Sequence, residues 1–127
     1  IIPDTKLIQT IEPAVFADQL LLNVRVGRYG PDIPNEWQLF AHDGKSARRV
    51  PLASDQIIDM LVKRNRLILL LELRGKHMLS ESTDLVHWTN HVIDPEVKQP
   101  LSVEFDGTSY YLGLSDGTIW TATKSAD

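Results

Sequence analysis

Apolar and polar residues alternate along this chain in short runs. The runs break at Gly, Pro, Asn and Asp, which predicts a succession of short β-strands and no obligatory helix. Residues 5–11 read as a strand that Pro13 stops, and residues 14–17 as a second short one. Residues 20–26 are richer in aliphatics and end at Gly27. The stretch 27–35 holds Gly27, Gly30, Pro31 and Pro34 and excludes regular structure. Residues 36–41 form a strand with Trp37, Leu39 and Ala41 on one face, followed by a turn at 42–45. Residues 47–50 suit an outer edge, where Arg48 and Arg49 blunt pairing with other chains. Residues 66–73 are almost continuously apolar, as in a strand covered on both faces. Residues 74–76 form a turn, residues 76–84 alternate up to the Ser82–Thr89 element, residues 90–92 follow it, and strands over 101–105, 109–114 and 118–123 complete the pattern. The Asp-Gly pairs at 106–107 and 116–117 mark hairpin turns. Only residues 54–63 are ambiguous: Ser54 and Asp55 fit a helix cap, while Ile57, Ile58, Leu61 and Val62 fit a strand or a helix.

A repeat favours the strand there, with the helix left as the alternative. Residues 76–84 (KHMLSESTD) and 119–127 (IWTATKSAD) both alternate and both end in Ser-x-Asp, with Asp84 and Asp127 43 residues apart. Residues 36–44 (EWQLFAHDG) form a weaker third copy. The runs beginning at Ala14, Ile57 and Pro100 keep the same 43-residue step. Self-similarity at 40–45 residues is the mark of a four-stranded propeller blade.

The stretch Ser82-Thr83-Asp84-Leu85-Val86-His87-Trp88-Thr89 is the focus of the repeat. Its Ser and Asp side chains suit the capping of backbone N–H groups in a tight turn, with Trp88 opening the next strand and plugging the gap beneath. The pattern Ser-x-Asp-x-x-x-Trp, with Ser82, Asp84 and Trp88 as structural turn residues, resembles the Asp-box of sialidase-type β-propeller repeats. It is also similar to the Ser-x-Asp-Leu-Val-His-Trp turn of furanosidase-type propeller glycosidases. Leu85 and Val86 stand where the usual Asp-box has Gly and Thr. Residues 115–120 (SDGTIW) resemble blades of propeller assembly factors with Asp-box repeats. The resemblance implies an all-β propeller segment with blades at about 13–52, 56–93 and 99–127 plus 4–12. In it, the N-terminal strand completes the last blade, as in many propellers.

Three blades do not close a ring, which takes about 4–8. Residues Leu20, Leu21, Leu22 and Val24 at one end and Tyr110, Tyr111, Leu112 and Leu114 at the other are apolar enough to leave open faces. The expectation is a homodimer, or a sister chain, that completes the ring.

Composition narrows the function only a little. At 127 residues with 43% hydrophobic and 24% charged residues, the chain is one ordinary globular domain. Its net charge of −4 argues against a nucleic-acid partner. No run is long enough for a transmembrane helix, so no membrane partner is expected. With no cysteine there is no disulfide framework, thiolate metal site or cysteine nucleophile. No signal peptide is visible and the sequence begins at Ile1, so a soluble cytoplasmic protein and a secreted one with its signal removed both fit.

Candidate chemistry is thin. No phosphate loop, Gly-x-Ser-x-Gly elbow or His-Glu-x-x-His motif occurs, and no cofactor or metal is expected. His87 and His91 would stand about 13 Å apart on a strand at 3.3 Å per residue, too far for one ion. Among Asp32, Glu72, Asp94, Glu96, Glu104 and Asp116, no pair has the context of glycosidase acids. The Trp-x-Asn-Asp-Pro-like segment of furanosidases is missing too. The remaining candidates are loop residues on one end of the blades: Arg28, Tyr29, Asp32, Arg74, Asp94, Glu96 and Asp116. They lead to a non-catalytic binding or assembly module that recognises a protein or glycan. The rival reading is a propeller glycoside hydrolase, whole or fragmentary, acting on carbohydrate.

Overall fold

The computed structural model describes residues 6–28, 36–52 and 54–123. Eleven strands make three antiparallel sheets in chain order, and the described residues include no helix. The first sheet is β1 (Lys6–Phe16), β2 (Gln19–Arg28), β3 (Glu36–His42) and β4 (Ala47–Val50), each paired with the next. The second is β5 (Gln56–Lys63), β6 (Arg66–Leu73), β7 (Lys76–Ser82) and β8 (Thr89–Val92), in the same order. The third is β9 (Pro100–Phe105), β10 (Ser109–Leu114) and β11 (Ile119–Thr123). Residues 56–63 are therefore a strand, as the repeat register requires.

The sheets stack face to face through the side-chain alternation of β6. Leu67, Leu69 and Leu71 join Phe16, Leu21, Leu39, Ala41 and Val50 of the first sheet in one core. Ile68 and Leu70 join Val103, Phe105, Tyr110 and Leu112 of the third sheet in another. Five successive residues of β6, Leu67 to Leu71, are thus buried, which is why this strand reads as continuously apolar. The first strands β1, β5 and β9 adjoin in sequence order. Each carries a bulge or register shift: between Ile8 and Thr10, between Ile57 and Asp59, and opposite Gly113/Leu114. Bulges bend a strand and raise its twist, so the three first strands bend alike.

Two expectations need correction. Pro13 does not stop a strand: β1 runs through it, with Pro13 opposite Leu22. β1 is an edge strand with a single partner, and an edge tolerates the missing N–H. Nor does the N-terminal strand complete the last sheet. Lys6, Leu7 and Ile8 pair with Arg28, Gly27 and Val26 of β2 in the first sheet. The two-residue turn at Ala17 and Asp18 makes this hairpin pairing local, so it closes a far shorter loop than pairing with β11 would.

The outward face of the third sheet is also more polar than residues 110–114 suggested. Tyr110 and Leu112 turn inward to the second sheet. Alternation leaves Tyr111, Thr121 and Thr123 outward, and the Tyr111 hydroxyl donates to Asp106 Oδ2 at 2.7 Å. Apolar exposure on the outer sheets is concentrated at Val15, Leu20, Leu101 and Ile119.

Candidate functional site

The turn between β7 and β8 is built as its residue types require. Ser82 Oγ accepts the N–H groups of Leu85 at 2.8 Å and Asp84 at 3.2 Å. Asp84 Oδ1 accepts those of Val86 and His87, each at 2.8 Å. Asp84 Oδ2 lies 2.7 Å from His87 Nδ1. This His87 contact, with the two backbone donors, holds the Asp84 carboxyl far below the usual carboxylate range. His87 therefore belongs to the turn and not to a strand, so it does not pair with His91. Leu85 adopts φ +68° and is buried in the first core, and Trp88 packs half-buried against the same core. Ser82 Oγ and both carboxylate oxygens of Asp84 are thus engaged in holding the turn.

The opposite end gathers the sheet-to-sheet connectors and the loops from second to third strands. In the first connector, Asp55 Oδ2 accepts the Arg74 N–H of the β6–β7 turn at 2.7 Å. In the second, the Gln99 carbonyl and Oε1 accept the Ser115 N–H at 3.1 Å and its hydroxyl at 2.9 Å. Between them lies a cavity of about 350 Å³, walled by Gly75, Lys76 and His77 on one side and by Val92, Ile93, Pro95, Val97, Lys98 and Gln99 on the other.

The expected loop residues divide here. Arg74 sits exposed at the cavity end, its backbone in the left-handed region at φ +52°. Asp94 Oδ1 caps its own turn by accepting the Glu96 N–H at 2.9 Å, while the Glu96 side chain is exposed. Asp116 Oδ1 accepts the Thr118 hydroxyl at 2.6 Å and N–H at 2.9 Å, and the hydroxyl contact lowers its pKa first. Asp94 and Asp116 thus shape loops. Lys76, His77 and Lys98 give the cavity wall a basic character; of these, Lys98 is among the loop-tip candidates of the sequence and Lys76 is not. Tyr29, Asp32 and the Arg28 side chain lie outside the described residues.

Two further polar clusters sit between sheets. Glu81 is only 6% exposed, yet it receives the Tyr110 hydroxyl and an Arg66 Nη1 at 3.1 Å, with His91 Nε2 at 3.4 Å. Burial, and then Glu81, raise the Tyr110 pKa well above its ordinary value. One signal was available in the sequence: His77, Leu79 and Glu81 alternate, which puts Glu81 on the inward face of Leu79.

Glu12 of β1 and Asp59 of β5 lie near each other between the first two sheets. Burial chiefly, and then the Asp59 charge, raise the Glu12 pKa. Asn23 donates to Glu12 Oε2 at 3.3 Å and to the Ile57 carbonyl at 3.4 Å. Asp59 accepts the Met60 and Val103 N–H groups, each at 2.9 Å. No group of three or more His, Asp or Glu among the described residues is placed to hold a metal ion. No family model, curated protein or solved structure matches the chain.

Proposed function

We propose that the chain is an arc of three β-propeller blades, serving as a non-catalytic binding or assembly module. The observation that carries the reading is the double burial of β6, with sheets stacked on both of its faces and β1, β5 and β9 adjoining. Successive four-stranded meanders with contiguous first strands are how propeller blades pack around an axis. A partner arc completes the ring, either a second copy or a sister chain. The exposed Val15 and Leu20 at one end and Leu101 and Ile119 at the other support such pairing.

The binding end is the cavity between residues 75–77 and 92–99. It is concave, apolar through the buried Ile93 and Val97, and also lined by Lys76, His77 and Lys98. That combination suits a protein or glycan partner presenting an acidic group beside an apolar surface. No Asp or Glu is among the residues that line this cavity, which weighs against the hydrolase reading.

A glycan array and a pull-down, run on the wild-type chain and on a Lys76→Ala/Lys98→Ala variant, test the proposal. Both lysines are exposed, so the variant folds normally. Ligand captured by the wild type and lost from the variant is the expected result. Ligand retained by the folded variant, or hydrolysis of an arrayed glycan, would refute the reading.

A further inference from the structure

A second cavity, of about 490 Å³, opens between the first two sheets at the end opposite the basic one. Phe16 and Val62 give it an apolar wall, and Ala17, Asp18, Asn65 and Thr83 line it from three turns. Two of those turns are alike. Phe16 pairs with Gln19 across Ala17 and Asp18, and Lys63 with Arg66 across Arg64 and Asn65. All four turn residues take positive φ, from +50° to +60°. Two-residue hairpins of this kind ordinarily place glycine second, which avoids the strain. Here the second place holds Asp18 in one turn and Asn65 in the other, and both line the cavity.

The polar groups at this cavity are uncommitted. Asp43, Asp84, Asp94, Asp106 and Asp116 each accept N–H groups of their own turns. Among the described residues, the side chains of Asp18, Asn65 and Thr83 form no hydrogen bond or ion pair. The cations beside Asn65 in the chain are engaged elsewhere. Lys63 pairs with Glu104 at 2.9 Å, the Arg64 guanidinium lies over Gly107 where a Cβ would stand, and Arg66 reaches Glu81 at 3.1 Å. Among the described residues no cationic side chain lines the cavity, so the Asp18 charge has no counterpart there.

We propose that this cavity binds a small aliphatic primary amine. An ammonium group has three donors and no acceptor, and the Asp18 carboxylate, the Asn65 carbonyl and the Thr83 hydroxyl are acceptors for it. Phe16 and Val62 cover the alkyl stem. A volume of about 490 Å³ is the size of a small-ligand site, and the net charge of −4 favours a cation over an anion. A neutral sugar meets the same polar groups but no aromatic face to stack on, since Phe16 is only 4% exposed. The site is separate from the basic cavity and does not depend on what binds there.

The probe is n-butylamine, titrated at constant ionic strength into the isotope-labelled chain and followed by backbone and side-chain amide shifts. Saturable shifts confined to residues 15–19, 62–66 and 82–84, the Asn65 carboxamide included, are expected. The midpoint falls at about 1 mM, the affinity that one exposed ion pair and a partly buried alkyl stem support. Asp18→Gly relaxes its own turn, so the variant folds, and it weakens binding roughly fivefold. 1-Butanol keeps the stem without the charge and gives no saturable shifts. The proposal is overturned if butylamine shows no saturation up to about 10 mM, if the shifts lie elsewhere, or if Asp18→Gly binds equally well. It is also overturned if 1-butanol or a methyl glycoside produces the same shifts, since the ammonium charge is then not what the site reads.

Discussion

Leu69 and Leu70 are adjacent in the chain yet belong to different cores. Leu69 is buried among side chains of the first sheet, and Leu70 among those of the third. The pleat of a single strand therefore welds three sheets together.

Alanine at either position leaves a cavity and costs about 2–5 kcal/mol. The expected difference lies in where protection is lost. In hydrogen exchange, Leu69→Ala exposes amides of β1–β4 more than those of β9–β11, and Leu70→Ala does the reverse. Equal loss in both sheets from both variants would contradict the stacking.

Leu85 sets two opposing effects against each other. Its φ of +68° costs about 1–2 kcal/mol for a residue with a Cβ. Its burial returns about 1.5–3 kcal/mol. Burial is the larger effect, so Leu85→Gly, which relieves the strain and empties the site, lowers stability. Leu85→Ala keeps the strain and loses most of the burial, so it lowers stability further. Urea midpoints for the two variants check the order; a more stable glycine variant would show that strain dominates.

The turn around Leu85 was legible in the sequence because its signals are local: Ser82 and Asp84 cap N–H groups two and three residues away. The double burial of β6 was legible because it needs no alternation. What escaped reading depends on distant neighbours. Pro13 is tolerated only because β1 has one partner strand. The turn at Ala17 and Asp18 takes positive φ at both residues without the Asn-Gly signature. Glu81 is held by Tyr110, and Glu12 meets Asp59, across sheet boundaries that no local pattern marks.

The burial of Glu12, beside Asp59, predicts a pH effect of definite sign. The Glu12 pKa is raised in the folded chain above its ordinary 4.5, so the folded state holds a proton that the unfolded state releases. The resulting stability is complete below about pH 4.5 and is lost as pH rises through the folded value. Asp106 acts in the opposite direction. The Ser109 N–H, the Tyr111 hydroxyl and the Thr108 N–H lower its pKa from 3.8 to about 2. Its contribution is present above pH 3.8 and lost as pH falls toward 2. Denaturant titrations from pH 3 to 8 should show Glu12→Gln flattening the decline on the alkaline side while the acid limb is kept. An unchanged alkaline limb would remove Glu12 from the account.

Light scattering on the purified chain tests the central claim, that this arc of stacked sheets is completed by a partner. The account predicts a discrete, folded species at twice the 14.3 kDa mass of one chain. If a sister chain is the partner, that mass shift requires it, and the lone chain is poorly folded or aggregated. A soluble, well-folded species that stays at 14.3 kDa would contradict both forms of the claim.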